Sequence, residues 1–259
     1  MTLSDLSPVV TALRAAGCVF AEDEAELLVA AAGTSEELDA LVARRVMGHP
    51  LEHVVGWAAF CGLRIEVGPG VFVPRRRSEF LVAQAAGLAG PGSVVLDLCC
   101  GVGAVGAAVA AATPGVELHA ADIEPEAVRY ARRNVAAASG RVHEGDLYAA
   151  LPPGLRGRVD VLVVNAPYVP TGEIGLLPPE AREYEPLVAL DGGADGLAVQ
   201  RRVAAGAPGW LAPGGRLLIE TSGRQAPQTA DAFVRAGLAV RVVSSEEYAA
   251  HVVIGTKEK

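Results

Sequence analysis

Hydrophobic positions recur along this chain with two different spacings, and the change from one to the other divides it. Up to about residue 55 the spacing is helical: VVTALRAAG follows Ser7-Pro8, AEDEAELLVAAA covers 21–32, and LDALVARRVMG follows Thr34-Ser35-Glu36-Glu37. Ser-Pro and Thr-x-x-Glu are start signals, since proline fits a first helical turn and the Thr and Glu side chains satisfy its free N–H groups. A small helical domain over 1–55 is expected. In AFCGLRIEVGPGVFV two short β-prone runs flank Gly68-Pro69-Gly70, which predicts a hairpin turning at those residues. It belongs to a linker over 56–77 that holds its two neighbours at a fixed angle.

From about Ser78 the pattern alternates between helical windows and short, uniformly apolar runs. In order these are EFLVAQAAGLA, SVVLDL, GAVGAAVAAA, ELHAADI, EPEAVRYARRNVAAA, RVHEGDL, VDVLVVN and GRLLIETS. Apolar runs bounded by Gly and Pro, with helices between them, are the mark of a parallel sheet covered on both faces. A doubly wound α/β domain over 78–259 is therefore expected. Its end, TADAFVRAGL followed by AVRVVSS and AHVVIGT, predicts a helix and an antiparallel strand pair at the sheet edge.

Composition narrows this picture. With 51% hydrophobic residues in 259, the chain can bury a sizeable core, and its net charge of −8 argues against a broad grip on nucleic acid. MTLSDLSPVV has no basic start and carries Asp5, so no signal peptide is expected, and no apolar run reaches about 18 residues. A cytoplasmic protein with no membrane partner is expected. Cys18, Cys61, Cys99 and Cys100 contain no CxxC pair, and are expected as small buried hydrophobes rather than metal ligands.

Chemistry concentrates after three of the predicted strands. SVVLDL runs into Cys99-Cys100-Gly101-Val102-Gly103-Ala104-Val105-Gly106, a G-x-G-x-x-G match that is weak alone but here stands between strand and helix. Two ligand classes use such a turn. A dinucleotide needs its pyrophosphate on the helix N-terminus, and Asp97, four positions before Gly101, would repel it. The same carboxylate suits the ammonium of S-adenosylmethionine, which has no phosphate. Asp122, at the end of ELHAADI, can take both ribose hydroxyls, and Asp146 in HEGDL can sit by the adenine. Acids in these places can also be simple N-caps and turn formers. VDVLVVN, finally, runs into Asn165-Ala166-Pro167-Tyr168.

Taken in order, RRVMGHPLEHVVG, FVPRRRSEFLV, DLCCGVGAVG, AADIEPEAVRYARRN, VVNAPYVP and YEPLVALDGGADGL resemble the HemK/PrmC family of protein-(glutamine-N5) methyltransferases. The resemblance implies an α/β fold: a seven-stranded, Rossmann-like class I methyltransferase domain, with a helical N-terminal domain and connecting hairpin. It implies S-adenosyl-L-methionine as cofactor, lined by Asp97, Cys99, Gly101, Gly103, Asp122, Ile123, Asp146, Leu147 and Asn165. Leu147 would pack on the adenine. Asn165, Ala166, Pro167 and Tyr168 would form the catalytic grip: the Asn165 oxygen and Ala166 carbonyl accept the two N–H bonds of a substrate amide, and Tyr168 packs on its plane. The implied partner is a protein, the glutamine of the Gly-Gly-Gln loop of a peptide-chain release factor, with the helical domain recognising it and no stable nucleic-acid binding. Ala166 stands where the family has a first proline, and Cys99 where it usually has glycine.

Other features are given plainer readings. His49-Pro50-Leu51-Glu52-His53 fits a zinc-protease pattern, but Pro50 biases His49 away from helix; His49 is expected at the surface and His53 among Leu51, Val54 and Val55. Arg75-Arg76-Arg77 is expected as a solvated turn, although Arg75 and Glu79 match a family segment close to the active site. Two further function classes stay open: methylation of an amino group in nucleic acid, and a non-catalytic cofactor-binding scaffold.

Overall fold

A computed structural model describes residues 6–258. Residues 1–5, Asp5 of the signal-peptide reading among them, lie outside the described residues. Four helices open the chain: α1 (Leu6–Ala15), α2 (Ala21–Ala31), α3 (Ser35–Val46) and α4 (Leu51–Val55). Their apolar faces meet in a separate small core of Val9, Leu13, Ala21, Ala25, Leu28, Leu38 and Val54. The start of α3 is closed as the Thr-x-x-Glu signal predicts: the Glu37 N–H donates to Thr34 Oγ1 at 3.2 Å, and Glu37 Oε2 accepts the Gly33 N–H at 2.7 Å.

The hairpin exists but turns elsewhere than expected. β1 (Trp57–Phe60) and β2 (Leu63–Glu66) pair antiparallel across Cys61-Gly62, both with positive φ, at +48° and +73°. Two left-handed residues match the twist of a two-residue hairpin, which is why this tight turn forms here. Gly68-Pro69-Gly70 instead follows β2 and leads the chain toward the larger unit.

That unit is a seven-stranded sheet ordered β5-β4-β3-β6-β7-β9-β8. Its strands are β3 (Val94–Leu98), β4 (Glu117–Asp122), β5 (Arg141–Glu144), β6 (Val159–Val164), β7 (Leu211–Thr221), β8 (Leu238–Ser245) and β9 (Ala250–Lys257). The first five are parallel; β9 runs antiparallel between β7 and β8. The expected final strand pair is therefore present. Helices α5 (Glu79–Ala86), α6 (Ala104–Ala112), α7 (Pro125–Asn134), α8 (Pro179–Tyr184), α9 (Ala198–Gly206) and α10 (Ala226–Arg235) complete it. β3 is buried at every position and β6 at all but Asp160, which explains their unbroken apolar sequences. Chain order reverses beside β3, whose neighbours are β4 and β6, so a crevice opens past the carboxyl ends of those strands.

The helical unit is clamped over this crevice by polar contacts. The buried Arg45 donates to Glu24 at 2.5 Å and 3.1 Å, to the His49 carbonyl at 3.0 Å and to Glu180 of α8 at 2.6 Å. The Tyr184 hydroxyl donates to the Met47 carbonyl at 3.0 Å. His49 is not a free surface residue: its ring lies 4.3 Å from that of Tyr184. His53 is buried as expected, and its Nε2 is 3.0 Å from the Val71 carbonyl, tying α4 to the linker. No group of three metal-ligating side chains occurs among the described residues.

Candidate active site

One cavity of about 760 Å³ runs from the turn after β3 to the segment after β6. Asp97, Cys99, Gly101, Asp122, Ile123, Asp146, Leu147, Asn165, Ala166, Pro167 and Tyr168 all line it. Gly103 does not. With φ of +77° it starts α6, and a Cβ there would come 3.2 Å from Ala131 of α7, so its role is packing.

At the cofactor end the acids are fixed by nearby backbone. Asp97 is 1% exposed, and its Oδ2 accepts the Gly106 N–H at 2.7 Å. The third glycine of the motif makes this possible, since a Cβ on Gly106 would stand 3.0 Å from that oxygen. Burial pushes Asp97 up to about 7; the Gly106 bond pulls it down and nearby Asp122 adds to the rise. Asp122 accepts the Gly101 N–H at 2.8 Å and the Glu124 N–H at 3.0 Å, one on each oxygen, which fixes the plane of its carboxylate. Burial raises its pKa against those bonds. Asp146 is exposed and paired with Arg202 of α9 at 2.6 Å, at the open end. Leu147 and Cys99 both have left-handed backbones, with φ of +48° and +58°. For a non-glycine residue that conformation costs about 1 kcal/mol, a physical reason for glycine to be usual where Cys99 stands. Cys100 is buried, Cys18, Cys61 and Cys99 only half-buried, and desolvation raises all four thiols, so none is held as a reactive thiolate.

The other end is assembled from distant parts of the chain. Asn165 donates through Nδ2 to the Ser78 hydroxyl at 3.1 Å, which leaves Oδ1 for the cavity. The Ala166 carbonyl accepts no hydrogen bond from the described residues. The Tyr168 carbonyl takes the Gln225 amide at 2.9 Å, and Arg77 lies 5.6 Å over the Tyr168 ring. Arg75-Arg76-Arg77 is thus not a solvated turn. Arg75 reaches both oxygens of the buried Glu185, at 2.6 Å and 2.7 Å, and Glu185 also accepts the Val73 N–H at 3.1 Å. A buried carboxylate without a partner is costly, and that cost draws the arginine inward. Arg76 and Arg77 are both exposed, but Arg77 also has its Nε 3.4 Å from Oε1 of the buried Glu220. Glu79 faces away and holds the hairpin by accepting the Cys61 N–H at 2.9 Å.

Ser78, Glu185 and Arg202 escaped the sequence reading as site residues. Glu185 lay in the quoted segment YEPLVALDGGADGL, but no spacing rule joins it to Arg75 across 110 positions.

This donor set fits an adenosyl sulfonium. Two carboxylates able to take an ammonium and a pair of hydroxyls sit beside apolar Leu147 and Ile123, and of the arginines lining the cavity Arg202 is paired with Asp146 and Arg75 with Glu185. Sheet order and cavity together define a class I methyltransferase dependent on S-adenosylmethionine, the cofactor that supplies a methyl group on a positively charged sulfur. Residues 63–175 match the family model described as "Methyltransferase small domain". The chain is 42% identical over 199 residues to the release factor glutamine methyltransferase of Mycolicibacterium smegmatis, covering 76% of this chain and 70% of that one. To the one of Mycobacterium leprae it is 33% identical over 264 residues, covering 94% and 92%. A 4-amino-L-phenylalanine/4-methylamino-L-phenylalanine methyltransferase of Streptomyces pristinaespiralis is 37% identical, covering 69% and 63%. Among solved structures, a methyltransferase from Pyrococcus furiosus shares the fold with a TM-score of 0.57 at 19% identity, over 76% of this chain and 90% of that one. The chain belongs to the release factor glutamine methyltransferase family.

Proposed function

We propose that this enzyme transfers the methyl group to the side-chain nitrogen of a glutamine, in the Gly-Gly-Gln loop of a peptide-chain release factor. The observation that carries the reading is the pair of acceptors at the end of β6. Asn165, held by Ser78, offers Oδ1, and Ala166 offers an unbonded carbonyl. Two acceptors side by side match the two N–H bonds of a primary carboxamide.

An amide nitrogen is a poor nucleophile because its lone pair is shared with the carbonyl. Attack on a methyl group builds positive charge at that nitrogen, and acceptors already aimed at both N–H bonds stabilise the charge and hold the nitrogen in line. Tyr168, half-buried beneath Arg77, supplies a face for the amide plane. Asp122 takes the ribose hydroxyls, Asp97 the ammonium, and Leu147 with Ile123 packs on the adenine; Asp146, drawn outward by Arg202, borders that end.

Choice of one glutamine among many requires a larger surface than this grip. The helical unit over 1–55, joined through 56–77 to the catalytic unit over 78–259, is the recognition element. It meets the catalytic unit at Glu180 and Tyr184, both on the segment bordering the cavity. Leu176, Leu187 and Val188 on that segment are exposed, a further apolar contact for a protein loop. No helix of the described residues is long and apolar enough to cross a membrane, and with the net charge of −8 this favours a cytoplasmic enzyme with a protein rather than nucleic-acid partner.

A second reading, a small aromatic amine as acceptor, is favoured by the Streptomyces pristinaespiralis relative. Purified enzyme is incubated with labelled S-adenosylmethionine and either a release factor or 4-amino-L-phenylalanine, and the product is located by mass spectrometry. Methyl on the Gly-Gly-Gln peptide is the expected result. Label on the amine alone reverses the assignment.

A further inference from the structure

Asn165 can grip an amide only if its own amide is turned the right way, and Ser78 alone cannot decide this. A hydroxyl both donates and accepts, so it would hold Asn165 equally well by either end. Behind Ser78 lies Glu220, the last but one residue of β7. The parallel register pairs Val164 with Ile219, so the next step along both strands sets Glu220 beside Asn165. Glu220 is 2% exposed, and neither of its carboxylate oxygens has a hydrogen bond of normal geometry. The groups bearing on it are the Ser78 hydroxyl and Arg77, whose Nε is 3.4 Å from Oε1. Both favour the ionised form against the burial that raises its pKa. On its other side is a small cavity of about 170 Å³, bordered by Arg77, Tyr168 and His251.

A buried carboxylate with both oxygens unsatisfied is expensive, and needs a reason to persist. We propose that Glu220 is a positioning residue for methyl transfer: it accepts a hydrogen bond from the Ser78 hydroxyl, leaving the Ser78 oxygen to accept the Asn165 Nδ2–H and so aiming Asn165 Oδ1 at the substrate. The chain of polarity runs from Asn165 N–H to the Ser78 oxygen, and from Ser78 O–H to Glu220. A glutamine at 220 can donate to Ser78 instead. That frees the Ser78 proton to point at Asn165, whose amide then turns over and presents N–H groups to the substrate's own N–H bonds. The inference rests on the amide-grip reading of Asn165.

The test compares Glu220→Gln, Ser78→Ala, Ser78→Thr and the Glu220→Gln/Ser78→Ala double variant in full-length enzyme. Transfer to a release factor is measured along with cofactor affinity, and the Asn165 side-chain amide is followed by NMR, assigned by its loss in Asn165→Ala. Glu220→Gln and Ser78→Ala should each lower kcat by about 10–100-fold with KM and cofactor affinity changed less than about threefold. The double variant should be no worse than the poorer single one, since both break one chain, while Ser78→Thr, which keeps the hydroxyl, should recover most of the rate that Ser78→Ala loses. Independent, multiplying losses would overturn the proposal, as would a wild-type kcat in Glu220→Gln. Should Glu220→Gln not fold, Ser78→Ala with unchanged kcat and an unshifted Asn165 amide signal overturns it alone. The NMR signal needs no acceptor, so a shift in both single variants upholds the wiring even if release factor proves not to be the substrate. A wild-type rate in Asn165→Ala would instead remove the grip itself.

Discussion

The two ends of the cavity are built in opposite ways. At the cofactor end the two buried carboxylates are held by backbone N–H groups of the strand ends and turns, Asp97 by Gly106 and Asp122 by Glu124 and Gly101, and only the exposed Asp146 pairs with a side chain, that of Arg202. At the acceptor end the partners are side chains from remote segments, 87 positions apart for Asn165 and Ser78 and 110 for Arg75 and Glu185. A turn that fixes its own acids can serve any methyl transfer. An end assembled from four segments can change acceptor by changing any one of them, which accords with relatives that share the fold and differ in the substrate they are named for.

The comparison is broken most directly at Asn165. Asn165→Ala should lower kcat by about 100-fold or more while leaving cofactor affinity near wild type, because one acceptor is lost from the acceptor end alone. Steady-state rates and calorimetry on the same protein decide it; loss of cofactor binding in step with rate would show the ends are not separable. Asp122→Ala should do the reverse, weakening S-adenosylmethionine by about 1.5–3 kcal/mol with the fold intact.

Asp97 sharpens the contrast through pH. Its folded pKa lies above the ordinary aspartate value, so its contribution to stability without cofactor is fully present below that value and is lost as pH rises through about 7. A bound ammonium favours the ionised form, so binding releases a proton in this window. Affinity should therefore fall by up to about tenfold per pH unit below 7. Binding heats at pH 6 should depend on the ionisation heat of the buffer, and should lose that dependence in Asp97→Asn. Heats identical in all buffers for the wild type would contradict the shift.

The smallest effect is expected at Ala166. Its N–H donates to no described residue and proline keeps the carbonyl, so Ala166→Pro should leave kcat within about twofold. A large loss would mean that the loop needs a backbone freedom proline removes.

Much of the architecture was legible because its causes are local. The apolar run of VDVLVV specifies a strand buried on both faces, Thr34 and Glu37 announce the start of α3, and strand, glycines and helix in succession place the cofactor turn. Asp97 and Asp122 could be singled out for the same reason: they stand at the carboxyl ends of their own strands. The hairpin was misplaced because Gly68-Pro69-Gly70 is the stronger turn signal by composition, whereas Cys61 had to be forced into a left-handed conformation that its sequence does not advertise.

The amino-acid sequence by itself determined the sheet, its glycine turn and the amide-bearing segment after β6, because periodicity and turn chemistry act over a few residues. Only the tertiary structure decided which way Asn165 faces, that Arg75 is drawn inward by Glu185, and that Glu220 lies buried behind Ser78. Those outcomes follow from the cost of leaving a charge or polar group unpaired in the interior, and the partner that relieves it can come from anywhere in the chain.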